Sequence, residues 1–160
     1  MAIKQVKQQR PCVKQSKINI DILNISILNK EEYLKYKDAI PSIIGDDNSW
    51  KYSWWLKTSD DSPYGVYCVY DNNINAKNVE ISSGIRPILI IRKNPNILVG
   101  DKIEIAGRSW TVISNKYLLC DSFLDKLPFY KDCKSKYAKN WDKSEVKKYI
   151  VDWYKNNITK

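Results

Sequence analysis

SWWLKTSDDSPYGVYCVYDNNINAKNVEISSGIRPILIIR, residues 53–92, is the stretch whose reading decides the fold. It opens on Trp54-Trp55-Leu56-Lys57-Thr58-Ser59 and closes on Gly84-Ile85-Arg86-Pro87-Ile88-Leu89. Both ends spell β-strands, rich in branched and aromatic residues. Between them lies a polar, aromatic middle of Tyr, Asn, Asp and Ser. Two strand-like edges around such a middle describe a rigid sheet that displays a recognition surface.

Working outward, Tyr52–Thr58 and Gly65–Tyr70 read as strands, with Asp71-Asn72-Asn73 as the turn after the second. Asn78–Ile81 is expected to return as a third strand. Ile85–Ile91 is nearly all apolar, as in a strand buried on both faces, although Pro87 lacks the N–H that a ladder needs.

Upstream, Ile18, Ile20 and Ile22 alternate, the phase slips at Leu23, and it resumes at Ile25 and Ile27. That pattern predicts a strand with a bulge near Leu23-Asn24. Asn29 is placed to cap a helix with Glu32 at its third position, and Leu28 to staple onto Tyr33. The helix should end near Ile40, because Pro41 disfavours helical geometry in the residue before it. Gly45-Asp46-Asp47-Asn48-Ser49 reads as a solvated turn, since a calcium loop spaces its ligands differently.

Downstream, Lys102–Ala106, Ser109–Ser114 and Tyr117–Cys120 form a meander joined by short turns, which favours antiparallel pairing. Residues 121–140 read as irregular and lysine-rich. A last amphipathic helix carries Val146, Tyr149, Ile150 and Trp153 at helical spacing, with Asp142 as its expected cap and Trp141 as a staple on Val146.

Composition bounds the function. With 160 residues, 43% of them hydrophobic, and six Trp, the chain has material for one core. It is therefore read as a single domain over 18–160, preceded by a basic arm over 1–17 that holds Lys4, Lys7, Arg10, Lys14 and Lys17 and no acid.

The net charge of +9 would draw the protein to polyanions. Yet Arg occurs only at positions 10, 86, 92 and 108, and bidentate reading of phosphate or guanine favours Arg. The excess of Lys, Asn, Ile and Tyr also matches translation of an AT-rich genome, such as that of a low-GC bacterium or its phage.

There is no His, which removes the commonest general base and metal ligand. Cys12, Cys68, Cys120 and Cys133 show no CxxC spacing, so no metal site and no cofactor are expected. No stretch reaches the length of a membrane span, and the N-terminus lacks the apolar core of a secretory signal. The expectation is a non-enzymatic protein of the bacterial cytoplasm with no membrane partner.

Trp54-Trp55-Leu56-Lys57-Thr58-Ser59 followed by Gly84-Ile85-Arg86-Pro87-Ile88-Leu89 resembles the WWLRS…GVRPAL pattern of a family of uncharacterised phage and Firmicutes domains. Ile27–Tyr33, Val99–Ile103, Trp110–Ile113, Leu118–Cys120 and Ser144–Val146 are similar to segments that accompany it. Lys57 stands where the pattern has Arg. The segment from Trp110 to Trp153 follows the second motif, whereas many relatives place a similar one before the double Trp.

The resemblance implies an α+β, C-type-lectin-like fold, mostly antiparallel sheet with two flanking helices. That fold is shared with formylglycine-generating enzymes and with the variable proteins of diversity-generating systems. It further implies that the bracketed middle is the display surface, with Asp60, Asp61, Tyr64, Tyr67, Tyr70, Asn72, Asn73, Asn75 and Lys77 as partner-binding candidates. Tyr and Asn suit that role, offering contact area and adaptable hydrogen bonds at low entropic cost. For Tyr67 and Tyr70 the competing reading is packing on the sheet face.

The expected function is a protein-binding module of phage or mobile-element origin that occludes a host protein or protein complex. An inhibitor of a bacterial defence system, anti-CRISPR-like, is the specific form. One alternative is nucleic-acid binding through the Lys-rich surface. Another is a phage structural or cell-surface ligand-binding protein.

Overall fold

Alternating isoleucines have to be buried against something, and the computed structural model shows that a barrel buries them. It describes residues 2–10, 13–41 and 53–160, with 7–10 and 13–17 described by backbone alone. Strand β2 (Val13–Ser26) turns Ile18, Ile20 and Ile22 into the core. It pairs antiparallel with β1 (Ala2–Arg10) on one side and with β7 (Ile88–Ile91) on the other.

The β2–β7 register shifts between Ile22 and Asn24, so Leu23 is the extra residue and stands 43% exposed. This bulge resets the phase, and Ile25 and Ile27 are buried again. The meander follows as expected: β8 (Lys102–Ile105), β9 (Arg108–Val112) and β10 (Tyr117–Cys120), all antiparallel. Pairing of β10 with β7 and of β8 with β1 closes the order β1-β2-β7-β10-β9-β8 into a barrel.

Residues 2–10 therefore differ from the expected basic arm. They form a barrel strand whose register on β8 runs from Lys7 opposite Glu104 to Gln9 opposite Lys102. The Lys/Gln-rich spelling hides this, because Val6 is buried while Ile3 is exposed, so the usual alternation is missing from the spelling. The backbone ladder on both sides holds the strand in place instead.

The second sheet has the order β11-β6-β3-β4-β5: β11 (Lys126–Leu127), β6 (Ser83–Gly84), β3 (Trp54–Ser59), β4 (Gly65–Tyr70) and β5 (Asn73–Asn78). Consecutive side chains on a strand point to opposite faces, and the double Trp uses both. Trp55 enters the cluster that holds the barrel isoleucines, Val66 and Cys68, packs edge-on to Phe129 and donates to Leu127 O at 2.8 Å. Trp54 enters a second cluster with Leu56, Val69 and Tyr33.

Two strand expectations are corrected. The third strand begins at Asn73, directly after a two-residue turn, and 79–81 is a turn closed by Ile81 N–H donating to Asn78 O at 3.1 Å. The run 85–91 is not one strand. Gly84 ends β6 in the second sheet and Ile88 begins β7 in the barrel, with Ile85-Arg86-Pro87 as a buried crossover. Pro87 has no N–H to donate, and Arg86 aims its guanidinium at the Cys120 carbonyl on β10 and at the Pro41 carbonyl. Tyr52, Cys12 and the 45–49 turn lie outside the described residues.

Helix α1 (Lys30–Tyr36), extended by a 3-10 turn over Lys37–Ala39, carries the expected capping box. Asn29 Oδ1 accepts from Glu32 N–H at 2.7 Å, and Glu32 Oε1 accepts from Asn29 N–H at 2.9 Å. The other Glu32 oxygen accepts from the Tyr117 hydroxyl at 2.5 Å, which ties the helix to β10.

Helix α2 (Glu145–Asn157) buries Val146 and Ile150. Its cap is Ser144, whose Oγ accepts from Lys147 N–H, and not Asp142. Asp142 sits in a preceding 3-10 turn that Asn140 caps. The architecture is thus α+β, mostly antiparallel sheet with two short helices. Among the described residues no helix is long and apolar enough to cross a membrane.

Burial, reinforced by the hydrogen bond to Glu32, pushes the Tyr117 hydroxyl above its ordinary pKa. A raised pKa makes its contribution whole below the ordinary tyrosine value of about 10, and lost as pH climbs beyond it. Tyr117→Phe is expected to cost about 1.5–3 kcal/mol at neutral pH. It should also flatten part of the alkaline fall in stability. Urea unfolding across that range checks both, and unchanged neutral stability would show that the Glu32 link holds nothing.

Candidate functional site

The display candidates lie on the β4–β5 hairpin and on the loop that precedes it. The hairpin tip is Asp71-Asn72, with φ of 50° and 62°. Two consecutive positive φ values are the mark of a type I′ turn, whose twist matches that of the flanking strands. The Tyr33 hydroxyl donates to Asn72 O at 3.0 Å, and Asn73 Nδ2 donates to Asp71 O at 3.0 Å, so the tip is braced from α1 and from within.

The unbroken β4–β5 register pairs Tyr70 with Asn73, Cys68 with Asn75 and Val66 with Lys77. Tyr70, Asn73, Asn75 and Lys77 therefore share one face of the sheet. Tyr70 is 41% exposed, and Asn72, Asn73 and Asn75 are exposed. Asn75 Nδ2 reaches Asn73 O at 3.3 Å, which holds the amides as a row along the strand.

Lys77 differs from its neighbours. Its ammonium donates to Ser53 Oγ at 2.6 Å and to Ser82 O at 3.1 Å, and burial pulls its pKa below the usual lysine value. Ser53 and Ser83 join hydroxyls beneath it. Lys77 is a tie from β5 to the residues flanking β3 and β6. Burial likewise pushes the nearby Cys68 thiol up. Cys68, Cys120 and Cys133 are all free.

Tyr67 is on the opposite face, half-buried, with the Lys30 ammonium 4.4 Å from its ring centre. The packing reading thus applies to Tyr67, while Tyr70 stands exposed on the other face. Asp60, Asp61 and Tyr64 sit at the far end of the hairpin, roughly 20 Å from the tip along six strand residues.

Asp60 Oδ1 accepts from the backbone N–H and hydroxyl of Ser62, and Lys139 Nζ donates to the carbonyls of Asp60 and Ser62 at 2.7 and 2.5 Å. Gly65 leaves room for this loop, since a Cβ there would lie 2.5 Å from Asp60 Oδ1 and would displace the Asp60 and Ser62 side chains. Asp61 is exposed and Tyr64 is 44% exposed. The nine candidates do not converge. Tyr70, Asn72, Asn73 and Asn75 make one surface, Asp61 and Tyr64 another, while Asp60, Tyr67 and Lys77 are spent on structure.

A polar cluster that the sequence reading missed lies beside the β8–β9 turn. The Asp121 carboxylate is 1% exposed. Its Oδ2 accepts from Ser109 Oγ at 2.7 Å and Lys102 Nζ at 3.1 Å, and its Oδ1 accepts from Thr111 Oγ1 at 2.5 Å. The one available signal was the pair of hydroxyls at Ser109 and Thr111, two residues apart and so on one face of a strand. Among the described residues, no group of three or more His, Cys, Asp or Glu is placed to hold a metal ion.

No protein-family model, curated protein or solved structure matches this chain.

Alanine at Tyr70, Asn73 or Asn75 is expected to change stability by no more than about 0.5 kcal/mol, the usual effect of a surface change. Lys77→Met should lose about 1–2 kcal/mol as the Ser53 and Ser82 acceptors lose their donor. Equal effects at all four positions, measured by denaturant midpoints, would contradict this division.

Proposed function

We propose that the protein is a non-enzymatic protein-binding module that engages its partner along β5 and the adjoining hairpin tip. The observation that carries this is the state of the edge. β5 is the outermost strand of its sheet, and no described strand pairs with its outer side. Exposed edges are normally blunted by Pro, a bulge, a charged side chain or an inward-pointing charge. β5 has no Pro and its register on β4 is unbroken. Its one charge, Lys77, is tied to Ser53 and Ser82 near the end of the strand, which leaves Asn73 to Ala76 without such a device. An open polar edge with Tyr70, Asn73 and Asn75 on one face is suited to accept an extended partner segment, the backbone supplying affinity and the side chains specificity.

The WWLK…GIRP resemblance supports the finer reading of a C-type-lectin-like frame. With it comes the proposal of a phage or mobile-element protein acting in the bacterial cytoplasm, where it occludes a host protein such as a component of a defence system. Nucleic acid is the second reading. It is favoured by Tyr137, exposed with the ammonium groups of Lys136 and Lys143 at 5.0 and 5.9 Å from its ring. Against it, Lys139 is held by carbonyls, Lys147 by Asp142 at 2.6 Å and Lys148 by Glu145 at 3.6 Å.

Affinity capture from a bacterial host, with wild type beside Tyr70→Ala and Asn75→Lys, tests the proposal. The expected outcome is a protein recovered by wild type and lost with either variant. Recovery of no protein, or of nucleic acid in a strongly salt-dependent manner, would overturn it.

A further inference from the structure

We propose that the cleft beside the β8–β9 turn is a second binding site, for a small oxyanion carried on a flat ring, an aryl carboxylate or aryl phosphate. The cleft measures about 520 Å³ and is lined by Ala106, Arg108, Ser109, Asp121, Ser122 and Trp153 among others. That volume is within the range of small-molecule sites.

Charge selects the ligand's sign. Asp121 would suggest a cation, but both of its oxygens are already occupied, by Lys102, Ser109 and Thr111. Arg108 is the opposite case. Its guanidinium is half-buried and takes part in no ion pair of the described residues. Among the described residues only Nη1 is engaged, donating to Ser122 Oγ at 3.2 Å and to Phe123 O at 3.3 Å. The remaining N–H groups keep the planar fork that fits a carboxylate or phosphate. Ser122 Oγ accepts from Arg108, which leaves its own hydrogen for a ligand or for the distant Cys120 sulfur at 3.9 Å.

Shape selects the ligand's body. The indole of Trp153 packs one side against Trp110, with ring centres 5.9 Å apart, and stays half-buried where it lines the cleft. A flat ring carried by the oxyanion would lie against it. The rim is the β8–β9 turn itself, a two-residue type I′ turn in which Ala106 and Gly107 hold φ of 53° and 73°.

The test is an NMR titration of the ¹⁵N-labelled full chain with inorganic phosphate, benzoate and phenyl phosphate. The ring-bearing anions are expected to shift the Trp153 indole and the Arg108 and Ser122 amides saturably at millimolar concentration. They should bind about tenfold more tightly than inorganic phosphate, and Arg108→Met should weaken them about tenfold. Ser122→Ala, a smaller change to the fold, should weaken them in the same direction. Absence of saturable shifts at these positions overturns the proposal. So does equal binding by Arg108→Met, or a response to phosphate alone that follows the exposed lysines. None of these outcomes bears on the β5 edge.

Discussion

The interaction on which the rest of the structure depends is the buried guanidinium of Arg86. It is 2% exposed, on the short crossover that carries the chain from the second sheet to the barrel. Nε donates to Cys120 O on β10 at 2.7 Å, Nη2 donates to Pro41 O after α1 at 2.8 Å, and the Trp54 ring lies 5.2 Å away. A buried charge is costly unless its hydrogen-bonding groups are satisfied. Here two carbonyl dipoles and an aromatic face meet it. Burial pulls its pKa down to about 10, so the side chain stays cationic at neutral pH. One residue thereby ties together the barrel, the second sheet and the segment that follows the first helix.

The surrounding residues hold the crossover in place. Ile85 N–H donates to Asp125 O at 2.8 Å, Leu124 N–H donates to Ile85 O at 2.9 Å, and Cys120 N–H donates to Pro87 O at 2.9 Å. Gly84 has to be glycine, because a Cβ would lie 2.6 Å from the Phe123 ring. With the crossover fixed, β6 is fixed against β3, and the double Trp fills one cluster on each side. The β4–β5 hairpin then extends from β3 as a braced arm whose outer edge is paired by no described strand. The candidate interface is a consequence of this frame, since nothing on β5 alone would keep a six-residue strand with four polar side chains extended.

What was legible in the sequence was local. The slip at Leu23, the Asn29–Glu32 box and the meander each follow from a few adjacent residues and occur where their spelling places them. The turn read at Asp71-Asn72-Asn73 is shortened to Asp71-Asn72, because Asn73 opens β5. What was not legible depended on pairing at a distance. β1 alternates in burial, but with Lys4 on the same parity as buried Val6 and Ile3 on the exposed one, its spelling does not show it. The 85–91 run looked like one strand because both halves are apolar, and only the two sheets distinguish them. Within the candidate site, the exposure of Tyr70, Asn73 and Asn75 matched their composition. The inward turn of Lys77 did not, because Ser53 and Ser82 are brought to it by the fold. The Arg108–Asp121 cleft draws on separate strands and the last helix, so no single stretch could reveal it.

The most direct measurement is the unfolding free energy of Arg86→Met, followed by near-ultraviolet circular dichroism in denaturant beside Arg86→Lys. If Arg86 holds the two sheets together, Arg86→Met leaves the Cys120 and Pro41 carbonyls without donors and loses roughly 2–5 kcal/mol. Arg86→Lys, with a point charge in place of a fork, should fall between the two. An Arg86→Met protein within about 0.5 kcal/mol of wild type, or more stable than it, would contradict the account.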